Sequence, residues 1–65
     1  MNIAIIGLGL IGGSIAKSIK RTTKHTVFGT DLSETAMLKA ELLRAIDARL
    51  TDDMLSQADV VIVAL

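Results

Sequence analysis

The chain contains no cysteine, proline, tryptophan or tyrosine, and its 65 residues include a single histidine and a single phenylalanine. Without cysteine there is no disulfide to staple a small fold and no thiolate for metal or nucleophilic chemistry, and one histidine cannot furnish a zinc site. Without proline nothing marks a rigid linker, and no repeat or low-complexity segment divides the chain, so it amounts to one small domain at most. Scarce aromatics leave the core to isoleucine, leucine, valine and alanine within a hydrophobic fraction of 51%. That fraction excludes a disordered chain. It suits a parallel sheet covered by helices, whose central strands read as continuous apolar runs.

An excess of charge of one sign is also missing. Seven basic and seven acidic residues leave a formal net charge of zero, whereas nucleic-acid binding calls for a basic face. Nucleic acid is therefore not an expected partner. Lys17, Lys20, Arg21 and Lys24 cluster locally and read as a solvated helix end, where cations suit the dipole. Residues 3–16 are almost free of polar side chains. No lysine or arginine precedes them, however, and the stretch is too short to span a bilayer and holds four glycines. It reads as a soluble strand-turn-helix, so no membrane partner is expected and the protein is placed in the cytoplasm.

The apolar pattern predicts a strand over residues 2–6 and a helix from Leu10 to about Arg21, with Ile11, Ile15 and Ile19 as its apolar stripe. Residues 26–30 read as a short second strand. Ser33 is the expected N-cap of a helix running to about Arg44, with Ala36, Met37, Leu38, Ala40, Leu42 and Leu43 available for burial. Residues 45–50 stay open between a loop and a degenerate third strand, and residues 51–56 between a turn and a short helix. Residues 59–65 form the clearest strand. The result is an α/β fold: a Rossmann-like βαβαβ half of a doubly wound parallel sheet, truncated. Right-handed crossovers place the second and last strands on either side of the first, whose C-terminal end is then the ligand-binding switch point.

At that point stand Gly7, Leu8, Gly9, Leu10, Ile11 and Gly12. The spacing Gly7-x-Gly9-x-x-Gly12 is a dinucleotide fingerprint. Its first glycine makes the tight turn, the second admits a pyrophosphate against the backbone, and the third lets helix pack on strand. The N–H groups of Leu10, Ile11 and Gly12 open the helix unpaired and face the anion with the positive end of the dipole. Asp31 follows the second strand, nineteen residues after Gly12, close to the roughly 20 expected of a ribose-binding acid. A carboxylate there accepts from both ribose hydroxyls and repels a 2′-phosphate, so the expected cofactor is NAD. The competing role for Asp31 is capping of the next helix.

Ala64 ends the last strand beside the first and is a candidate cofactor contact, with plain strand core as the alternative. Ser14 is open between orienting a phosphate and simply permitting close packing. His25 reads as a solvated loop residue away from the crevice. Asp52 and Asp53 read as a solvated turn, having no third ligand beside them. No metal site and no nucleophile-base-acid set can be assembled.

The runs Ile5-Ile6-Gly7-Leu8-Gly9-Leu10-Ile11-Gly12-Gly13-Ser14-Ile15-Ala16, Phe28-Gly29-Thr30-Asp31 and Ala58-Asp59-Val60-Val61-Ile62-Val63-Ala64 resemble the start of prephenate dehydrogenases. The doubled glycine followed by Ser14 narrows the likeness beyond nucleotide-binding turns in general. The resemblance implies oxidative decarboxylation of prephenate by NAD to 4-hydroxyphenylpyruvate, carbon dioxide and NADH, on the route to tyrosine. It further implies a helical C-terminal domain that forms a homodimer, and a catalytic histidine and substrate-binding arginine beyond Leu65. Only Gly7, Gly9, Gly12 and Asp31 match its functional positions, so no catalytic residue is assigned here. Arogenate and cyclohexadienyl dehydrogenases share the fingerprint, as do other NAD-linked dehydrogenases of the hydroxyisobutyrate type. A regulatory NAD-sensing domain is the non-enzymatic alternative. The uncapped apolar ending predicts a fragment, residues 1–65 of a longer dinucleotide-binding domain, inactive by itself.

Overall fold

The computed structural model describes residues 1–65. Four strands, β1 (Asn2–Ile6), β2 (Thr26–Thr30), β3 (Ala48–Arg49) and β4 (Val60–Val63), alternate with three helices, α1 (Leu10–Thr22), α2 (Glu34–Leu42) and α3 (Asp52–Ser56). All strand pairs are parallel, in the order β3-β2-β1-β4. The expected βαβαβ half is present with β1 in the centre, and residues 45–50 supply a third strand only two residues long.

The register sets Ile3 beside Val27 and Val60, and Ile5 beside Gly29 and Ile62. Side chains alternate across a sheet, so these residues share one face. On that face Ile3, Ile5 and Val27 join Leu8, Ala16, Met37, Ala40, Ala45 and Ile46 in one core, flanked by Ile15, Ile19 and Ile62. Leu8 and Ile46 close over the bare backbone of Gly29, where a Cβ would lie 2.8 Å from Ile46 and 2.9 Å from Leu8.

Two expectations about the helices need correction. The apolar stripe of α1 is rotated from the one expected: Gly12 and Ala16 are its buried positions, Ile15 and Ile19 flank the core, and Ile11 is 70% exposed. Small residues at Gly12 and Ala16 bring the helix axis close to the sheet, and that swings Ile11 outward on the first turn.

The second helix ends at Leu42, before Arg44. Arg44 stands at φ +56°, its N–H donates to the Glu41 carbonyl at 3.1 Å, and the Ala45 N–H donates to the Ala40 carbonyl at 2.9 Å. That pair of bonds is a Schellman motif, and the buried pair Ala40 and Ala45 makes its apolar contact. Leu38, Leu42 and Leu43 are consequently exposed, while Met37 and Ala40 are buried.

The last strand lies beside β1, as expected, and spans Val60–Val63 where residues 59–65 were expected. β4 lies at the sheet edge with Val60, Val61 and Val63 exposed.

Polar side chains fix the loops. Ser33 caps α2 by accepting from the Ala36 N–H at 3.2 Å, as expected. Lys20 is a member of the basic cluster but is not merely solvated: it pairs with Asp47 at 2.8 Å. Asp47 also accepts from the Val27 N–H at 2.7 Å. Arg49 bridges Glu34 at 2.8 Å and Glu41 at 2.7 Å, which ties β3 to α2. No helix is long and apolar enough to cross a membrane.

Candidate dinucleotide-binding site

The turn between β1 and α1 is shaped by two positions that tolerate no side chain. Gly7 has φ +100°, and a Cβ there would stand 2.5 Å from the Ala64 carbonyl oxygen. At Gly12 a Cβ would stand 2.9 Å from the Gly7 carbonyl carbon, and deeper still into that carbonyl's oxygen. Gly9 is different. A Cβ there would meet nothing within 4 Å, so the space over Gly9 is open to a ligand approaching the backbone.

Hydrogen bonding divides the turn into a tied half and a free half. The Gly7 N–H donates to the Thr30 carbonyl at 2.8 Å, which extends the β1–β2 ladder. The Leu8 N–H donates to Asp31 Oδ2 at 2.7 Å. The next N–H with a partner is that of Gly13, which donates to the Gly9 carbonyl at 2.8 Å and begins α1. The N–H groups of Gly9, Leu10, Ile11 and Gly12 therefore remain unpaired at the positive end of a 13-residue helix. Such an array suits the pyrophosphate of a dinucleotide. The exposed side chains of Leu10 and Ile11 contribute no charge to it.

Asp31 sits immediately past β2, at the mouth of a crevice of about 180 Å³ lined by Ile6, Gly7, Thr30, Asp31, Leu32 and Leu65. Besides Leu8, it binds the Ser33 N–H, which donates to Oδ1 at 2.8 Å. The Ser33 and Leu8 N–H donors, in that order, hold its carboxyl below the usual aspartate range, against a small opposing effect of burial. An ionised carboxylate offers about four acceptor positions. Two are taken, and the remaining two match the two hydroxyls of a ribose. Of the two roles expected for Asp31, the helix cap falls to Ser33, which accepts from the Ala36 N–H, while Asp31 braces the turn through Leu8 and Ser33.

The other candidates are placed as follows. Leu8 has its side chain in the core and its N–H on Asp31, so it supports the turn from beneath. Ala64 continues the β1–β4 pairing by donating its N–H to the Ile6 carbonyl at 2.8 Å. Its Cβ lies 3.3 Å from where a Gly12 side chain would begin, so Ala64 walls the turn and its neighbour Leu65 lines the crevice. The Ser14 hydroxyl donates to the Leu10 carbonyl at 2.7 Å, within its own helix. His25 precedes β2 and meets the Met1 amino group at 3.0 Å, at the sheet end opposite the glycine turn. Asp52 and Asp53 occupy the first turn of α3 behind the Thr51 cap. A second, larger groove of about 450 Å³ opens between α1 and α2, with Gly9, Gly13, Lys17, Ser33 and Lys39 among its walls. Composition gave no signal for it, because it depends on how two helices pack.

Residues 2–65 match the family described as NADP oxidoreductase, coenzyme F420-dependent. The chain is also similar to a solved structure of Synechocystis arogenate dehydrogenase, with a TM-score of 0.84 and 30% sequence identity over 97% of this chain. The match covers 23% of that protein, so the chain spans under a quarter of its length. No curated protein matches the sequence. The Rossmann-like fold and the likeness to the prephenate and arogenate dehydrogenase group, both expected from the glycine turn and its flanking strands, are met by these findings.

Proposed function

The chain belongs to the family of coenzyme F420-dependent NADP oxidoreductases, and on that premise we propose that it is the cofactor-binding portion of an NAD-dependent prephenate dehydrogenase. A nicotinamide cofactor supplies the hydride acceptor in such enzymes. This chain's residues do the holding: unpaired N–H groups at residues 9–12 receive the pyrophosphate, and Asp31 receives the adenosine ribose.

The observation that carries the choice of NAD is the Asp31 carboxylate, charged and pinned at the end of β2. A 2′-phosphate placed about 4 Å from it would meet repulsion of roughly 1 to 4 kcal/mol per unit charge, depending on local dielectric. No arginine or lysine directly follows Asp31 to offset that. The family's description names NADP, so the preference is a property of this chain's acid and not of the family at large.

Prephenate is the proposed substrate, in line with the Gly12-Gly13-Ser14 run. Arogenate is the second reading, favoured by the 30% identity to an arogenate dehydrogenase. The test is to titrate the intact protein with NAD and NADP before and after Asp31→Ala, and to assay both substrates. Wild-type preference for NAD that collapses in the variant supports the reading. A preference for NADP, or one that the substitution leaves unchanged, overturns it.

A further inference from the structure

Ribose recognition asks only that Asp31 present a carboxylate to the crevice; it does not ask that the carboxylate hold the glycine turn. Yet between the Gly7 N–H, the last rung of the β1–β2 ladder, and the Gly13 N–H, the first bond of α1, only the Leu8 N–H has a partner, and that partner is Asp31 Oδ2 at 2.7 Å. The other oxygen, Oδ1, is fixed by the Ser33 N–H at 2.8 Å. One carboxylate thereby joins the β1–α1 turn to the β2–α2 turn, across a separation of 23 positions in the sequence. The Leu8 side chain is anchored in the core at 6% exposure. With its N–H held as well, Leu8 has a fixed peptide plane, and the chain leaves it toward Gly9 in a set direction.

We propose that Asp31 is a positioning residue for the pyrophosphate as well as a ribose ligand: its bond to Leu8 aims the unpaired N–H groups of residues 9–12. The inference rests on the reading that this turn receives a dinucleotide. It makes cofactor selectivity and phosphate grip inseparable at one residue. A substitution designed to admit a 2′-phosphate then also loosens the turn that must hold the rest of the cofactor.

A thermodynamic cycle separates the two roles. Wild type, Asp31→Asn and Asp31→Ala of the intact protein are titrated calorimetrically with NAD and with an NAD analogue lacking both hydroxyls of the adenosine ribose. For the analogue, ribose recognition is absent. Removing a carboxylate near a diphosphate should, on Coulombic grounds alone, tighten binding. The expected result is the reverse: Asp31→Ala weakens the analogue about tenfold, the equivalent of about 1.4 kcal/mol. Asp31→Asn keeps an oxygen for the Leu8 N–H and loses less, which a general loss of structure would not produce. Analogue affinity in Asp31→Ala equal to or tighter than wild type overturns the proposal. If wild type binds NAD and the analogue equally, the ribose assignment under the proposed function fails instead, and the comparison of variants on the analogue still decides the positioning role.

Discussion

Adjacent glycines on the first helical turn should respond to the same substitution in opposite directions. At Gly12 a Cβ would lie 2.9 Å from the Gly7 carbonyl carbon and overlap the carbonyl oxygen, with the Ala64 Cβ at 3.3 Å on the other side. Heavy atoms rest at about 3.5 to 4.0 Å, so in Gly12→Ala the first turn of α1 has to withdraw from Gly7 by more than about 1 Å. Backbone, not a flexible side chain, is what stands in the way. Overpacking of this kind costs typically 1 to 3 kcal/mol and sometimes more, out of roughly 3 to 10 kcal/mol available to a domain of this size. The same withdrawal carries the unpaired N–H groups of residues 10–12 out of reach of a phosphate, so NAD affinity falls with stability.

At Gly13 a Cβ would stand 3.5 Å from the Leu8 carbonyl oxygen, an ordinary contact, and alanine is better in a helix than glycine by up to about 1 kcal/mol. Urea unfolding followed by circular dichroism, with NAD titration on the same samples, measures both effects. Gly12→Ala should lower the midpoint and weaken NAD; Gly13→Ala should hold or raise the midpoint. Equal stability of Gly12→Ala and wild type, or equal damage from the two substitutions, would refute the packing argument.

Two further predictions follow from the backbone and from titration. Arg44 occupies a left-handed conformation at φ +56° and forms no ion pair, so Arg44→Gly should relieve about 1 kcal/mol of strain and raise the thermal midpoint by roughly 4 to 8 °C; an unchanged or lower midpoint speaks against the Schellman ending. The carboxyl of Asp31 is depressed in the folded state by the Ser33 and Leu8 N–H donors. Its stabilising contribution is therefore fully present above the ordinary aspartate pKa of about 3.9 and is lost as pH falls through the lower folded value. Compared by urea unfolding, wild type should exceed Asp31→Asn by a constant margin near neutrality, and that margin should shrink below about pH 4; a margin that persists to pH 2 contradicts the assignment.

Much of this arrangement was legible in the chain because it depends on local constraints. Gly7 and Gly12 announce a turn that excludes Cβ atoms, Ser33 announces a helix start, and the runs at 2–6 and 26–30 announce strands. What stayed hidden involves pairs distant in sequence or unusual residue choices. The Leu8–Asp31 bond exists because the register sets Ile6 beside Thr30, which no spacing rule reveals. The Lys20–Asp47 and Arg49–Glu34 pairs likewise depend on how α1, α2 and β3 come together. Helix α2 ends two residues early behind an arginine where glycine is the usual signal.

The core described above lies on one side of the sheet, under α1 and α2, whereas α3 on its own contributes no buried residue. Local opening follows buried contacts and backbone exposure, so amide hydrogens should exchange slowly in β1 and β2 and rapidly in α3 and β4. The crevice beside Asp31 straddles that boundary: Gly7, Thr30 and Asp31 stand on the slow side and Leu65 on the fast side. A ligand bridging the two would do more than occupy a preformed slot. It would lend the protection of the central strands to the edge, so that the gain in exchange protection on binding falls chiefly on residues 60–65, away from the glycine turn itself.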